Sequence, residues 1–332
     1  MNAAVIGAGA WGTALATVLN RNGHNVKLWC HRSERADEIL ETRINPRLPG
    51  ITLPETIQIT ADPRCVEDCK LVVIASPSSP IRSVCQAVAP YLREDAVMVS
   101  VTKGIEEGTL LRMSQVVEEV CSRPGVALSG PCHAEEVAAE APTGCLAACS
   151  EKALAEFCQD AFIGENFRVY TSPDAVGAEL GGALKNIIAL CAGVLDGMNC
   201  GDNCKAMLMT RGLTEIARLG VSLGAHKETL AGLSGVGDLI VTCPSMHSRN
   251  RRAGILLGQG KTPEEAMDQV GAVVEGYYAT KSAYDLMKRQ NIEMPIVNAA
   301  YQVLYNHADV KEIIRNLLIR ERKPDSEDAG WN

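Results

Sequence analysis

Short apolar runs alternate with stretches whose apolar residues recur every three or four positions through the first half of the chain. The runs Asn2–Ile6, Val26–Cys30, Ile57–Thr60, Leu71–Ala75, Val97–Val101, Val126–Ser129, Cys145–Cys149 and Phe167–Tyr170 read as strands. Several are apolar at nearly every position, the pattern of a sheet buried on both faces. Between them, Trp11–Asn20, Pro80–Ala89, Leu110–Val120 and Glu151–Phe162 read as helices, with Ser79 as a cap before Pro80. Strand–helix alternation predicts an α/β, mostly parallel sheet.

Past Ser172 the strand signals fade. Gly177–Met198, Lys205–Leu219, Arg249–Leu257, Pro263–Val270, Thr280–Arg289 and Pro295–Asn306 carry helical patterns, with Gly258 as a stop for the third. The division expected is a Rossmann-like part over residues 1–172 and an all-helical part over 173–332. The segment Gly177–Met198 is rich in glycine, and each interior glycine costs a helix roughly 1 kcal/mol against alanine. Gly177/Gly181 and Gly193/Gly197 each share a helix face, so close backbone approach to another helix or a ligand is the expected return. The polar residues from Arg320 onward read as a frayed end.

The chain has 332 residues, 46% hydrophobic and 22% charged, which excludes wholesale disorder. A net charge of −8 and only 4% aromatic residues argue against nucleic acid as a main partner. A phosphate-bearing ligand must then be held by a local basic pocket. Thirteen scattered cysteines, with no CxxC pair and no zinc-site spacing, read as reduced and largely buried thiols, with no metal expected. A reducing cytoplasm is the compartment this implies. No uncharged apolar run approaches the ~20 residues that span a bilayer, so membrane insertion is not expected.

Gly7-Ala8-Gly9-Ala10-Trp11-Gly12 is a GxGxxG loop between a strand and a helix. Glycines there permit a tight turn, close approach to a pyrophosphate and close helix–strand packing, while the helix amino terminus faces the phosphates. The residue that meets the adenosine ribose lies about 20 positions further on. This chain has His31 and Arg32 there in place of an acid, which favours NADP(H) over NAD(H).

Four polar segments lie in otherwise apolar or turn settings. Lys103 ends a buried strand at the edge where open α/β sheets bind ligands, although a solvated edge lysine would look the same. Lys185 interrupts an apolar helix; burial or a second cation lowers a lysine pKa toward the range useful for proton transfer, whereas snorkelling would leave it ordinary. Asp238, in a glycine-rich turn, can orient and balance Lys185, or simply form the turn. Ser248 caps a helix whose first turn holds Arg249, Arg251 and Arg252, where the helix dipole disfavours cations unless an anion sits among them. A substrate phosphate would fit, and so would a plain basic patch.

These stretches resemble bacterial-type NAD(P)-dependent glycerol-3-phosphate dehydrogenases. The resemblance rests on GAGAWGTAL at 7–15, TKG at 102–104, SGP at 129–131 with Ala134, GALKN at 182–186, GVGDL at 235–239, SRNRR at 248–252 and VEG at 274–276. It implies interconversion of sn-glycerol 3-phosphate and dihydroxyacetone phosphate, supplying glycerol 3-phosphate for phospholipid synthesis, and a homodimer. It implies Lys185 as proton acceptor, with Lys103, Gly130, the residue at 132, Asp238, Ser248, Arg249 and Asn250 as substrate contacts. Gly7, Gly9, Ala10, Trp11, Gly12, His31, Arg32, Lys103, Ala134, Arg249, Val273 and Glu275 would meet the cofactor. Cys132 stands where that family usually has serine, and its thiol is a weaker donor; His133 replaces an aromatic packing residue. A hydroxyacid dehydrogenase gripping a carboxylate, and a redox sensor holding NADP(H) without turnover, are the rival readings.

Overall fold

The computed structural model describes residues 1–321. Eight strands form one sheet: β1 Asn2–Ile6, β2 Asn25–Trp29, β3 Gln58–Thr60, β4 Leu71–Ile74, β5 Val97–Ser100, β6 Gly125–Ser129, β7 Thr143–Ala148 and β8 Phe167–Ser172. Their order is β3-β2-β1-β4-β5-β6-β7-β8, and every neighbouring pair is parallel except β6 with β7. Alternate side chains of β1 serve opposite cores. Ala3 and Val5 join the cluster with Leu15, Leu28 and Val99, whereas Ala4 and Ile6 join that with Ile74, Ile81 and Met98. Burying each Val, Leu or Ile contributes about 1.5–3 kcal/mol, which is why runs without polar interruption become central strands.

Helices α1 Ala10–Arg21, α2 Ser33–Thr42, α3 Ile81–Val88, α4 Met113–Cys121, α5 Ala134–Ala138 and α6 Lys152–Phe162 connect the strands. After β8 all elements among the described residues are helical: α7 Ala175–Gly197, α8 Gly201–Ser222, α9 Lys227–Leu230, α10 Asp238–Thr242, α11 Arg249–Gly258, α12 Pro263–Val270, α13 Glu275–Gln290, α14 Pro295–Asn306 and α15 Val310–Leu318. The chain is thus a Rossmann-like mostly parallel sheet followed by helices, the expected fold class.

By length and composition α7 could cross a membrane, but its faces are buried against other helices. Its glycines explain how. A Cβ on Gly193 would stand 2.1 Å from the Arg251 carbonyl oxygen, and one on Gly197 would stand 2.3 Å from that of Ile255. In return, a Cβ on Gly254 of α11 would meet Leu190 O at 2.0 Å, and one on Gly258 would meet Val194 O at 2.3 Å. Four glycines therefore let the α7 and α11 backbones touch. The close approach expected of the glycine pairs is found, and it sets the amino end of α11 beside the middle of α7.

Several helix limits differ from the pattern. Pro80 is the N-cap of α3 rather than its first residue, and no side chain caps that helix, because the chain reaches helical geometry only at Ile81. Leu110 has a left-handed φ of 61° and lies outside α4, which starts at Met113. Gly258 belongs to α11, where its missing side chain admits α7; the chain turns at Gln259 and at Gly260, whose φ is +93°. Helix α13 begins at Glu275, five residues before the apolar period becomes regular. Helices α2, α5, α9, α10 and α15 were not anticipated. Of the polar end expected to fray, only Arg320 and Glu321 lie within the described residues.

Candidate active site

The carboxyl ends of β1, β2, β4, β5 and β6 lie along one edge of the sheet, and each runs into a loop carrying candidate residues. After β1, Gly7 has φ +126°, and a Cβ there would strike Ala75 O at 2.6 Å. A Cβ on Gly12 would stand 2.0 Å from Gly7 O, so the third glycine sets the contact of α1 with the loop. Gly9 is different: a Cβ there would meet nothing within 4 Å. Open space above the middle glycine, an α1 amino terminus with no side-chain cap, and a buried Trp11 Nε1 with no partner are what a dinucleotide pyrophosphate and its neighbours would fill. Asn45 fixes the loop from outside, its buried Nδ2 donating to Ala8 O at 3.0 Å and to Thr13 Oγ1 at 2.6 Å.

Arg32 caps the start of α2 with extended backbone, and His31 stands beside it, edge-on to Trp29. Both are exposed at the end of β2. Ala134 opens α5, which packs on α1. Glu275, the first residue of α13, reaches the loop after β4, where Ser78 donates to it through its amide at 3.1 Å and its hydroxyl at 2.5 Å. Val273 lies just before that helix.

Lys103, Lys185 and Asp238, far apart in sequence, converge. Asp238 Oδ2 accepts from Lys103 Nζ at 2.6 Å, and Oδ1 accepts from Lys185 Nζ at 2.7 Å. Lys103 also donates to Gly130 O at 2.9 Å. Lys185 donates to Thr242 Oγ1 at 2.6 Å, and Thr242 lies one helical turn beyond Asp238 on α10. A wide π-type turn, Leu233–Gly237, presents Asp238; its Gly235 lies so close to Leu230 O that a Cβ would fall 1.8 Å away. Gly181 of α7 admits this turn, since a Cβ there would meet Ser234 O at 2.5 Å. Gly130 has φ +153° and packs on Gly144 and Cys145 of β7.

Burial holds Lys185 below the usual lysine range, and nearby Lys103 adds to the effect, against the opposing pull of Asp238. Burial pushes Lys103 in the same direction, but Asp238 and Cys132 outweigh it and raise this group. The two ammonium groups hold Asp238 below the carboxylate range in spite of its burial. One lysine is thus held charged and the other made more acidic than usual, bridged by a carboxylate that stays charged. Among the described residues no group of three or more His, Cys, Asp or Glu side chains is arranged to hold a metal ion.

The amino end of α11 lies against α7 beside the residue that follows Lys185. Ser248 caps it, its hydroxyl accepting from Arg251 N at 3.2 Å. Asn250 is buried, its Oδ1 accepting from Gly276 N at 2.8 Å and its Nδ2 donating to Asn186 Oδ1 at 2.9 Å, which ties α11, α13 and α7 together. Of the clustered arginines, Arg251 turns away to pair with Asp196 at 2.7 Å, whereas Arg249 is exposed. Thr242, Asn186, Asn45 and Ser78 were missed from sequence. Two of them had a local signal: Asn186 interrupts an apolar helix together with Lys185, and Thr242 is four residues from Asp238 on one helix face.

A family profile described as NAD-dependent glycerol-3-phosphate dehydrogenase N-terminus matches residues 2–155, and its C-terminus counterpart matches residues 174–315. The chain is 48% identical to a glycerol-3-phosphate dehydrogenase of Fusobacterium nucleatum named for NAD(P)+, covering 96% of this chain and 97% of that one. It is 51% identical to the Geobacillus kaustophilus enzyme of the same name, covering 99% and 97%. Its structure is similar to the crystal structure of glycerol-3-phosphate dehydrogenase from Coxiella burnetii, with TM-score 0.92 and 37% identity over 96% of this chain and 99% of that one. A ketopantoate reductase from Ralstonia eutropha, 15% identical with TM-score 0.63 over 96% of this chain and 100% of that one, shares the fold.

Proposed function

The chain belongs to the NAD-dependent glycerol-3-phosphate dehydrogenase family, and on that premise we propose how its residues divide the interconversion of sn-glycerol 3-phosphate and dihydroxyacetone phosphate. Bound NAD(P) supplies or takes up the hydride. In oxidation, neutral Lys185 removes the proton of the secondary hydroxyl; in reduction, its ammonium form returns a proton to the oxygen. Lys103 stays charged, polarises that oxygen and helps keep Lys185 acidic. Asp238 orients both amines. Two ammonium groups against one carboxylate leave net positive charge where an oxyanion develops. The observation that carries this reading is the bridge Lys103–Asp238–Lys185, closed on both carboxylate oxygens and buried at Lys185 and Asp238.

The Ser248-capped end of α11, with Arg249 and Asn250, would hold the substrate phosphate, and Gly130 and Cys132 would line the opposite wall. Gly7, Gly9, Ala10, Trp11, Gly12, His31, Arg32, Lys103, Ala134, Arg249, Val273 and Glu275 would hold the cofactor. NADP(H) is favoured over NAD(H) because Arg32, not an acid, follows β2. Residues 1–172 would supply most of the cofactor contacts and the helical part from 173 most of the substrate contacts. A homodimer is the assembly we expect, supported by the exposed apolar residues Met207, Val221, Leu318 and Ile319 and tested by sedimentation. Its role would be to supply glycerol 3-phosphate for phospholipid synthesis in the cytoplasm.

The deciding assay follows reduced-nicotinamide absorbance with dihydroxyacetone phosphate and each reduced cofactor in turn. Turnover is expected, faster at low cofactor concentration with NADPH. Turnover of 3-oxo acids in place of dihydroxyacetone phosphate would overturn the phosphate reading.

A further inference from the structure

The turn after β6 carries a pair of thiols that the reaction above leaves unused as a pair. Cys132 is partly exposed in the cleft, its Sγ 3.1 Å from Gly130 O and 3.9 Å from Lys103 Nζ. Cys145 on β7 is buried, its sulfur beside the Gly130 backbone two residues before Cys132. The contact is built into the sheet: β6 runs antiparallel to β7 with Ser129 opposite Leu146, and a Cβ on Gly130 would lie only 3.6 Å from Cys145 Sγ. The two sulfurs are free thiols here. A second contacting pair, Cys85 with Cys121, is buried at both members.

The thiolate is the reactive form of cysteine, and a reactive cysteine needs access as well as stabilised charge. The hydrogen bond from Cys145 and the charge of Lys103 hold Cys132 below the usual thiol range, against its burial. The same hydrogen bond, with burial, keeps Cys145 well above it. The partly exposed sulfur is the one primed to attack, and the buried one stays protonated until a partner forms beside it.

We infer that Cys132 and Cys145 form a hydroperoxide-sensitive dithiol at the substrate cleft, with Cys132 the attacking sulfur and Cys145 the resolving one. The Cys132 thiolate attacks the peroxide O–O bond. An S–O bond forms, the O–O bond breaks, sulfur loses two electrons, and the departing oxygen leaves as water or alcohol after taking a proton. Cys145 sulfur then attacks the sulfenic sulfur, an S–S bond forms, the S–O bond breaks, and the hydroxide leaves as water with the Cys145 proton. A disulfide brings the two sulfurs to about 2.05 Å, which draws the Gly130–Cys132 turn toward β7 and away from Lys103. Turnover stops until a thiol reductant opens the bridge.

The test treats the full-length enzyme with a small excess of hydrogen peroxide, then blocks remaining thiols and maps peptides by mass. The expected result is one linked peptide pair, Cys132 to Cys145, lighter by two hydrogens, with activity falling at least about tenfold and returning on dithiothreitol. In Cys145→Ser the link is lost and dimedone adds at Cys132. In Cys132→Ser neither product forms, and the activity that variant possesses survives peroxide. Oxidation confined to other cysteines, or a Cys132–Cys145 link with turnover unchanged, overturns the inference. The mass readout does not depend on hydride chemistry, so its failure is separable from failure of the assigned reaction.

Discussion

Asp238 spends each of its oxygens on a different lysine, and that division gives the two amines different acidities. Lys185 is held below the ordinary lysine range by burial and by Lys103. Oxidation needs its neutral form, so kcat for glycerol 3-phosphate rises with pH through the lowered pKa. Reduction needs the ammonium and falls through the same point. Lys185→Ala is expected to lower kcat by roughly 10²–10⁴ and to leave cofactor affinity, measured by fluorescence titration, unchanged. Loss of both together would mean that Lys185 holds the fold and not the proton. At the other end of the cofactor, Arg32→Ala should raise the KM for NADPH at least about tenfold, the worth of one charge-assisted contact, and barely alter that for NADH. Equal change in both KM values would remove Arg32 from the choice of cofactor. The lysines and the aspartate were legible as unusual residues, because charge inside apolar helices and strand ends asks for a reason. Their convergence was not, since Lys103 and Asp238 are 135 residues apart and only the fold brings them together.

Among the elements, all eight strands were legible, each within two residues of its observed bounds; most are runs buried on both faces with few polar positions to obscure them, whereas β3 and β8 are partly exposed. Helix α2 was hidden because only Ala36 and Ile39 of it are buried, and α5 and α10 are five residues long, too short to show a period. The glycines of α7 announced a close approach without naming its partner. That contact predicts a penalty: Gly254→Ala sets a methyl 2.0 Å from Leu190 O and should cost about 3 kcal/mol. A melting temperature lower by several degrees, with the KM for dihydroxyacetone phosphate raised more than that for NADPH, is the expected result. Helix α14 carries a different signature. Buried Glu215 accepts from Ile296 N and Val297 N at its start, and burial pushes this carboxyl up to about 7 from 4.5. The folded form therefore keeps a proton that the unfolded chain releases, so this stability is complete below 4.5 and is lost as pH rises toward 7. The unfolding free energy of the wild type from denaturant melts should fall across that window by on the order of 3 kcal/mol, and Glu215→Gln should remove that slope.

At the scale of the molecule, sheet and helices are sewn together by side chains that cross between them. Glu179 of α7 accepts from Ser114 N at 2.7 Å and pairs with Arg112, while Glu275 of α13 holds Ser78. The cofactor edge and the substrate cluster are thus set against one another by buried contacts. The backbone contact of α7 with α11 adds a metric consequence. Lys185 is carried by one of these rods and the proposed phosphate-binding tip by the other, and glycines hold the two backbones in contact. Under the roles proposed above, the pair would act as a rigid caliper between the reacting hydroxyl and the substrate phosphate. A four-carbon ketose phosphate, one link longer, would overshoot that fixed span, and its kcat/KM should be lower chiefly through kcat; equal kcat for both ketoses would show that the jaws give.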